Sequence, residues 1–190
     1  MKNIVIILSL VFSISVFGQK IDYNNFDKKV FEKTLFNLLN EKRMAKGLDS
    51  FVFSNVLYKE ASVRNMNIIT KTKVFQHPDY SKVWDSLRVR ELIAKESDKV
   101  IGGKASSSTY GGYDVTYYEN LFWSNKTYST YLEMAEDAIS SWEKSFTHNA
   151  VQYANLSDKG KPGMASCTIG FVKGTNDLYV VFNFVKVYRK

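Results

Sequence analysis

The chain has little of what most often marks a function at sight. Cys167 is the sole cysteine among 190 residues, so no intramolecular disulfide can form and folding must rest on the core alone. There are two prolines and two histidines, His77 and His148. No H-E-x-x-H pair, no G-x-S-x-G elbow and no internal repeat occurs. After the first eighteen residues no uncharged apolar run approaches the ~20 residues that a bilayer demands. Cys167 itself lies in an apolar run, the setting of a buried, inert thiol.

What is present begins at the amino end. Lys2 supplies a positive start, Ile4 through Phe17 form an apolar stretch broken only by serines, and Val16-Phe17-Gly18 ends it with residues a signal peptidase tolerates. Residues 1–18 therefore read as a signal peptide cut before Gln19, and the protein as secreted or periplasmic with no membrane span after processing. That leaves 190 − 18 = 172 residues, the length of one domain, residues 19–190 with a core of about 28–187. Loss of Lys2 takes the formal charge from +7 to 7 − 1 = +6, which favours anionic envelope polymers or headgroups as partners; an exported chain seldom meets nucleic acid.

Periodicity predicts a helix over 27–46, with Asp27 as its cap, Val30, Phe31, Leu35, Leu38 and Leu39 on its apolar stripe, and Gly47 at its end. A second helix is expected from Ser54 to about Thr70, with Leu57, Ala61 and Ile68 along one face. Pro78 forces His77 out of helix. A shorter helix is expected over 83–96, then a long glycine- and serine-rich loop through Gly112. Thr130 and Glu133 form a capping-box pattern before the stripe Tyr131, Ala135, Ala138, Ile139, Trp142 and Phe146, with His148 at or just past the helix end. Finally, 164–172 and 178–187 read as a hairpin. Both faces of its second strand are apolar, which calls for helices on each side of a sheet.

Several short segments in order resemble the CAP (SCP-like) superfamily in its bacterial form. Asn40 and Arg43 before Gly47-Leu48 resemble the N-x-x-R pattern and turn of its first helix. His77 stands where its first histidine does, and Tyr118-Glu119-Asn120-Leu121 is similar to its G-E-N segment with Tyr in place of Gly. Ala135 through Trp142, Ser145 and His148-Asn149 resemble its A-x-x-A-x-x-x-W-x-x-S-x-x-H-R signature, with Asn149 for Arg. Thr168-Ile169-Gly170 and Val181-Phe182-Asn183-Phe184 resemble its closing strands. The resemblance spans roughly residues 30 to 185 and implies an α/β fold, a three-layer α/β/α sandwich with a central, largely antiparallel sheet. It also implies a cleft holding His77, Glu119 and His148, with Ser145 and Asn120 beside them. Members are associated with lipid and sterol binding, metal binding and disputed proteolysis, so the fold alone does not transfer a reaction.

The residues leave the role of that cleft open between three chemistries. Two imidazoles and a carboxylate, His77, His148 and Glu119, are suitable zinc donors with a position left for water. Equally, Glu119 could accept hydrogen bonds from both rings and tie three segments together with no turnover. Ser145 and His148 would be helical neighbours, as a nucleophile and base must be, though without an oxyanion loop. The aromatic stretch Tyr117, Tyr118, Phe122, Trp123 and Tyr128 could line a groove or fill the core. The expected function is a secreted binding module for a lipid, glycan or cell-envelope component, weakly metal-binding at most; the alternative is an extracytoplasmic zinc-dependent hydrolase using His77, Glu119 and His148.

Overall fold

The computed structural model describes residues 19–77, 87–101, 114–158, 160–172 and 174–188. The expected leader 1–18, the start of the helix expected at 83 and the glycine-rich loop lie outside these residues. Among them are five helices of seven residues or more and a four-stranded mixed sheet. The helices are α1 (Lys28–Ala45), α2 (Val63–Thr72), α3 (Leu87–Ile101), α4 (Tyr131–Glu143) and α5 (Phe146–Gln152). The strands are β1 (Val52–Phe53), β2 (Asp114–Ser124), β3 (Met164–Phe171) and β4 (Leu178–Tyr188). Their order is β1-β3-β4-β2, with β1 parallel to β3 and the other pairs antiparallel.

Local chemistry explains most of the boundaries. Asp27 accepts from the Val30 amide and opens α1, and Gly47 takes φ 73° just past its end. Thr130 accepts from the Glu133 amide at the start of α4, while the Glu133 carboxylate reaches back to the Ser129 amide at 2.7 Å. The helix expected over 83–96 continues to Ile101 in the structure.

The hairpin expected at the carboxyl end is present as β3 and β4. Alternate residues of β4 enter different clusters. Val180, Phe182 and Phe184 pack with Phe31, Leu35 and Leu39 of α1 and with Ala138, Ile139 and Trp142 of α4. On the other face, Val185 and Val187 pack with Leu57, Ala61 and the α3 residues Val89 and Ile93, and Val181 packs with Met66 and Ile69 of α2. Burying both faces explains why this strand carries no simple apolar–polar alternation.

Two sequence expectations fail here, each for a backbone reason, and one element was not foreseen. Ile68 is 41% exposed, and Met66 and Ile69 are buried in its stead. A helical turn at Asn55–Leu57, capped by Ser54, runs into a π turn at Tyr58–Ser62 before α2, and the wider turn moves the buried stripe on by one residue. Phe146 is 92% exposed rather than inward, because α4 stops at Glu143 and α5 starts afresh at Phe146. Residues 114–124, read as an aromatic-rich stretch with no assigned element, form the long strand β2.

One buried cation joins the sheet's surroundings. Arg43 is 1% exposed, donates from Nε to the Asp49 carbonyl and from Nη1 to those of Gln152 and Ala154, and lies 3.7 Å over the Phe51 ring. Asn40 brackets the Phe51 backbone, donating to its carbonyl and accepting from its amide. The two residues noted in the N-x-x-R pattern thus fasten the end of α1 to the chain that follows it.

Candidate functional site

Three strands carry one polar residue each at the same level of the sheet: Ser166 pairs with Asn183, and Asn183 with Glu119. All three are buried. Polar side chains in that position need partners, and the helical segment above supplies them. Ser62, at the end of the π turn, donates to Asn183 Oδ1 at 2.8 Å and shares a 2.8 Å hydrogen bond with the Ser166 hydroxyl. Asn65, one turn on, donates from Nδ2 to Glu119 Oε2 at 2.7 Å, and Asn183 Nδ2 donates to the same oxygen at 2.9 Å.

The other oxygen, Glu119 Oε1, faces His77 Nδ1 at 3.0 Å. Because a carboxylate offers only lone pairs, Nδ1 carries the proton in this pair, and in a neutral ring Nε2 is then the acceptor. Glu119 is almost wholly enclosed, with a side chain 1% exposed, whereas that of His77 is 47% exposed. The carboxylate is thus a buried anchor with donors on both oxygens, and the imidazole is the part that meets solvent.

His148 completes the group from the other side. It lies in the first turn of α5, its ring centroid 6.4 Å from that of His77. Partial burial, and then the neighbouring His77, hold its pKa below the usual 6.5. Asn120, pointing to the opposite face of β2 from Glu119, donates to the His148 carbonyl at 3.1 Å and so pins α5 against the strand. Trp142 does the same for α4, its indole N–H donating to the Leu121 carbonyl at 2.8 Å.

His77, Glu119 and His148 do come together. Ser145 takes a different part: its hydroxyl accepts from the His148 backbone amide at 3.5 Å as the cap of α5. It stands outside the helix that carries His148, so the two are not neighbours within one helix. Of the aromatic stretch, Phe122 and Tyr128 are core, while Tyr118 and Trp123 reach the surface.

As a metal site the group offers less than three ligands. Among the described residues no three His, Cys, Asp or Glu side chains stand close enough to hold an ion. Both Glu119 oxygens already accept hydrogen bonds, so recruiting the carboxylate would strip donors from a buried anion. The two imidazoles remain as the groups that could hold a divalent ion, with Glu119 behind His77 as an orienting partner.

Asn65, Asn183, Ser62 and Ser166 were not singled out as site residues. Two of them left a faint signal: Ser166 and Asn183 are polar residues within strands that are mostly apolar. No helix among the described residues is long and apolar enough to cross a membrane. Neither a family model nor a curated protein matches the chain.

Proposed function

We propose that the protein is an exported ligand-binding module of the CAP (SCP-like) type, which receives a lipid, a glycan or another cell-envelope component in the cleft between His77 and His148. The observation that carries this reading is the His77–Glu119 pair, held by Asn65 and Asn183 from a helix and a strand far apart in the chain. A buried carboxylate with three donors costs folding energy to assemble, and its outcome is one oriented, half-exposed imidazole beside a second. Helices packed on both faces of the sheet support the three-layer α/β/α sandwich that the resemblance implies. Apolar residues 4–17 after Lys2 support export.

The geometry favours binding over metal-dependent hydrolysis, because the carboxylate is engaged as an acceptor on both oxygens. A thermal-shift screen of lipids and cell-wall fragments tests the module. Stabilisation of the intact protein is expected with at least one of them, and loss of that shift in His77→Ala. Calorimetric zinc titration with an assay for zinc-dependent hydrolysis addresses the rival. Turnover abolished in the His77→Ala, His148→Ala double variant, with no ligand stabilising the intact protein, would overturn the proposal.

A further inference from the structure

We propose that Gln19 is a covalent modification site: as the first residue of the exported chain, it closes on itself to an N-terminal pyroglutamate. The proposal rests on the export half of the reading above, with the cut between Gly18 and Gln19.

An amino-terminal glutamine carries its own acyl donor for its α-amine. The amine nitrogen attacks Cδ, the N–Cδ bond forms as the Cδ–Nε2 bond breaks, and Nε2 leaves as ammonia with a proton taken from the amine. Nothing is oxidised or reduced, and no co-reactant enters. Because nucleophile and carbonyl belong to one residue, ring closure replaces a bimolecular encounter. Loss of ammonia to dilute solution makes the step irreversible.

The structure holds Gln19 in a way that leaves this closure open. The residue is exposed, yet its carbonyl accepts from the Tyr131 amide at 3.3 Å. Beside it, Lys20 and Thr130 form an antiparallel bridge, and the Ile21 amide donates to the Ser129 carbonyl at 3.0 Å. The lactam ring is made of the α-nitrogen, Cα, Cβ, Cγ and Cδ, so the carbonyl that the fold engages stays outside it. Docking and cyclisation therefore do not compete.

Attachment continues along the residues that follow. The Tyr23 hydroxyl accepts from the Tyr128 amide at 2.8 Å and donates to the Tyr128 carbonyl at 3.4 Å. The Asp27 amide donates to the Tyr131 hydroxyl at 2.8 Å, and the Phe26 ring lies 5.1 Å from that of Tyr131 and 4.8 Å from that of Phe171. Residues 19–27 thus lie along the segment that opens α4, and the chain end is part of the fold from its first carbonyl.

That carbonyl gives the modification its consequence. The Tyr131 amide is the first of α4, where no acceptor exists within the helix, and Tyr131 is 1% exposed. Trimming a single residue from the exported chain would remove the Gln19 carbonyl and leave this amide unmatched. Aminopeptidases grip a free α-amine, which a lactam no longer has. Cyclisation of Gln19 guards the hydrogen bond that starts α4.

The test expresses the full chain in an exporting bacterium and reads the purified protein by mass spectrometry, before and after incubation with a glutaminyl cyclase. The expected terminal peptide begins at residue 19 and is lighter than its sequence by one ammonia, whereas the Gln19→Ala peptide shows no such loss. Aminopeptidase is expected to leave the cyclised protein whole and to shorten Gln19→Ala, whose trimmed form unfolds about 2–4 °C lower. A terminal Gln19 that the cyclase leaves unchanged, or a chain cut at another residue, would overturn the proposal while export stands. Retention of residues 1–18 would overturn both. Trimming of the cyclised protein as fast as of Gln19→Ala would also end it.

Discussion

Two carboxylates lean on the same sheet, and they do different work. Glu119 lies on the β2–β4 side, 1% exposed at its side chain, with Asn65, Asn183 and His77 as donors. Glu32 reaches from α1 to the far edge, where β1 pairs only with Met164 and Ala165 and leaves the rest of β3 open. There it accepts from the Thr168 hydroxyl at 2.6 Å and from Tyr58 at 3.2 Å, with Lys28 at 3.7 Å. Its carbonyl also accepts from the Cys167 thiol. Glu32 closes a sheet edge with hydroxyls and a lysine, whereas Glu119 ends on an imidazole that opens to solvent. The two carboxylates thus differ in their donors, hydroxyls and a lysine at Glu32 against amides and an imidazole at Glu119.

The comparison breaks most sharply at Glu119. Glu119→Ala takes the acceptor from two buried amide donors, those of Asn65 and Asn183, as well as from the half-exposed His77, and is expected to lower stability by about 3 kcal/mol, measured by urea denaturation. A loss below about 1 kcal/mol would mean that the network is less committed than its distances state. Ser62→Ala, which unties Asn183 from Ser166 without touching the carboxylate, is expected to cost about 1–2 kcal/mol by the same measurement.

Titration sharpens it further. Burial raises the Glu32 pKa above the usual 4.5, against the opposing pull of Thr168, Lys28, Tyr58 and the Ile169 amide. The folded carboxyl then holds its proton more tightly than the unfolded one. Its stabilising contribution is present below 4.5 and falls as pH rises through the folded value. Glu32→Gln is expected to remove that decline, seen as a smaller difference between urea midpoints at about pH 4 and about pH 8. His148 works in the opposite sense. With its folded pKa below 6.5, the unfolded chain binds the proton more readily, so stability present above 6.5 is lost as pH falls through the folded value. The smallest expected effect is spectroscopic: His148 titrates below 6.5 by NMR, and His77→Ala moves its midpoint toward that value.

Much of this was legible in the residues. The caps at Asp27, Ser54 and Thr130 and the closing hairpin could be read because each follows from neighbours in sequence. The meeting of His77, Glu119 and His148 was reachable only through family resemblance, since the three come from separate elements. The strand β2 escaped notice because its centre, Glu119-Asn120, is polar for reasons that lie in other elements: Asn120 serves α5, and Glu119 serves α2 and His77. Ser62 and Asn65 were hidden by the π turn, which no periodic stripe announces. Phe146 was misplaced because the break between α4 and α5 comes from Ser145 capping a new helix, whereas an unbroken stripe would have run through it.

The π turn links the two carboxylates. Tyr58 at its start serves Glu32, and Ser62 at its end serves Asn183. Were the same residues wound at ordinary helical pitch, with no wider turn to absorb one of them, everything downstream would be rotated by about 100°. Asn65 would then swing off Glu119, and Ile68 would turn inward in its place. One inserted amino acid thus acts as the clocking key of the molecule, setting the angle at which the covering helix meets the sheet and so whether Asn65 reaches Glu119 at all.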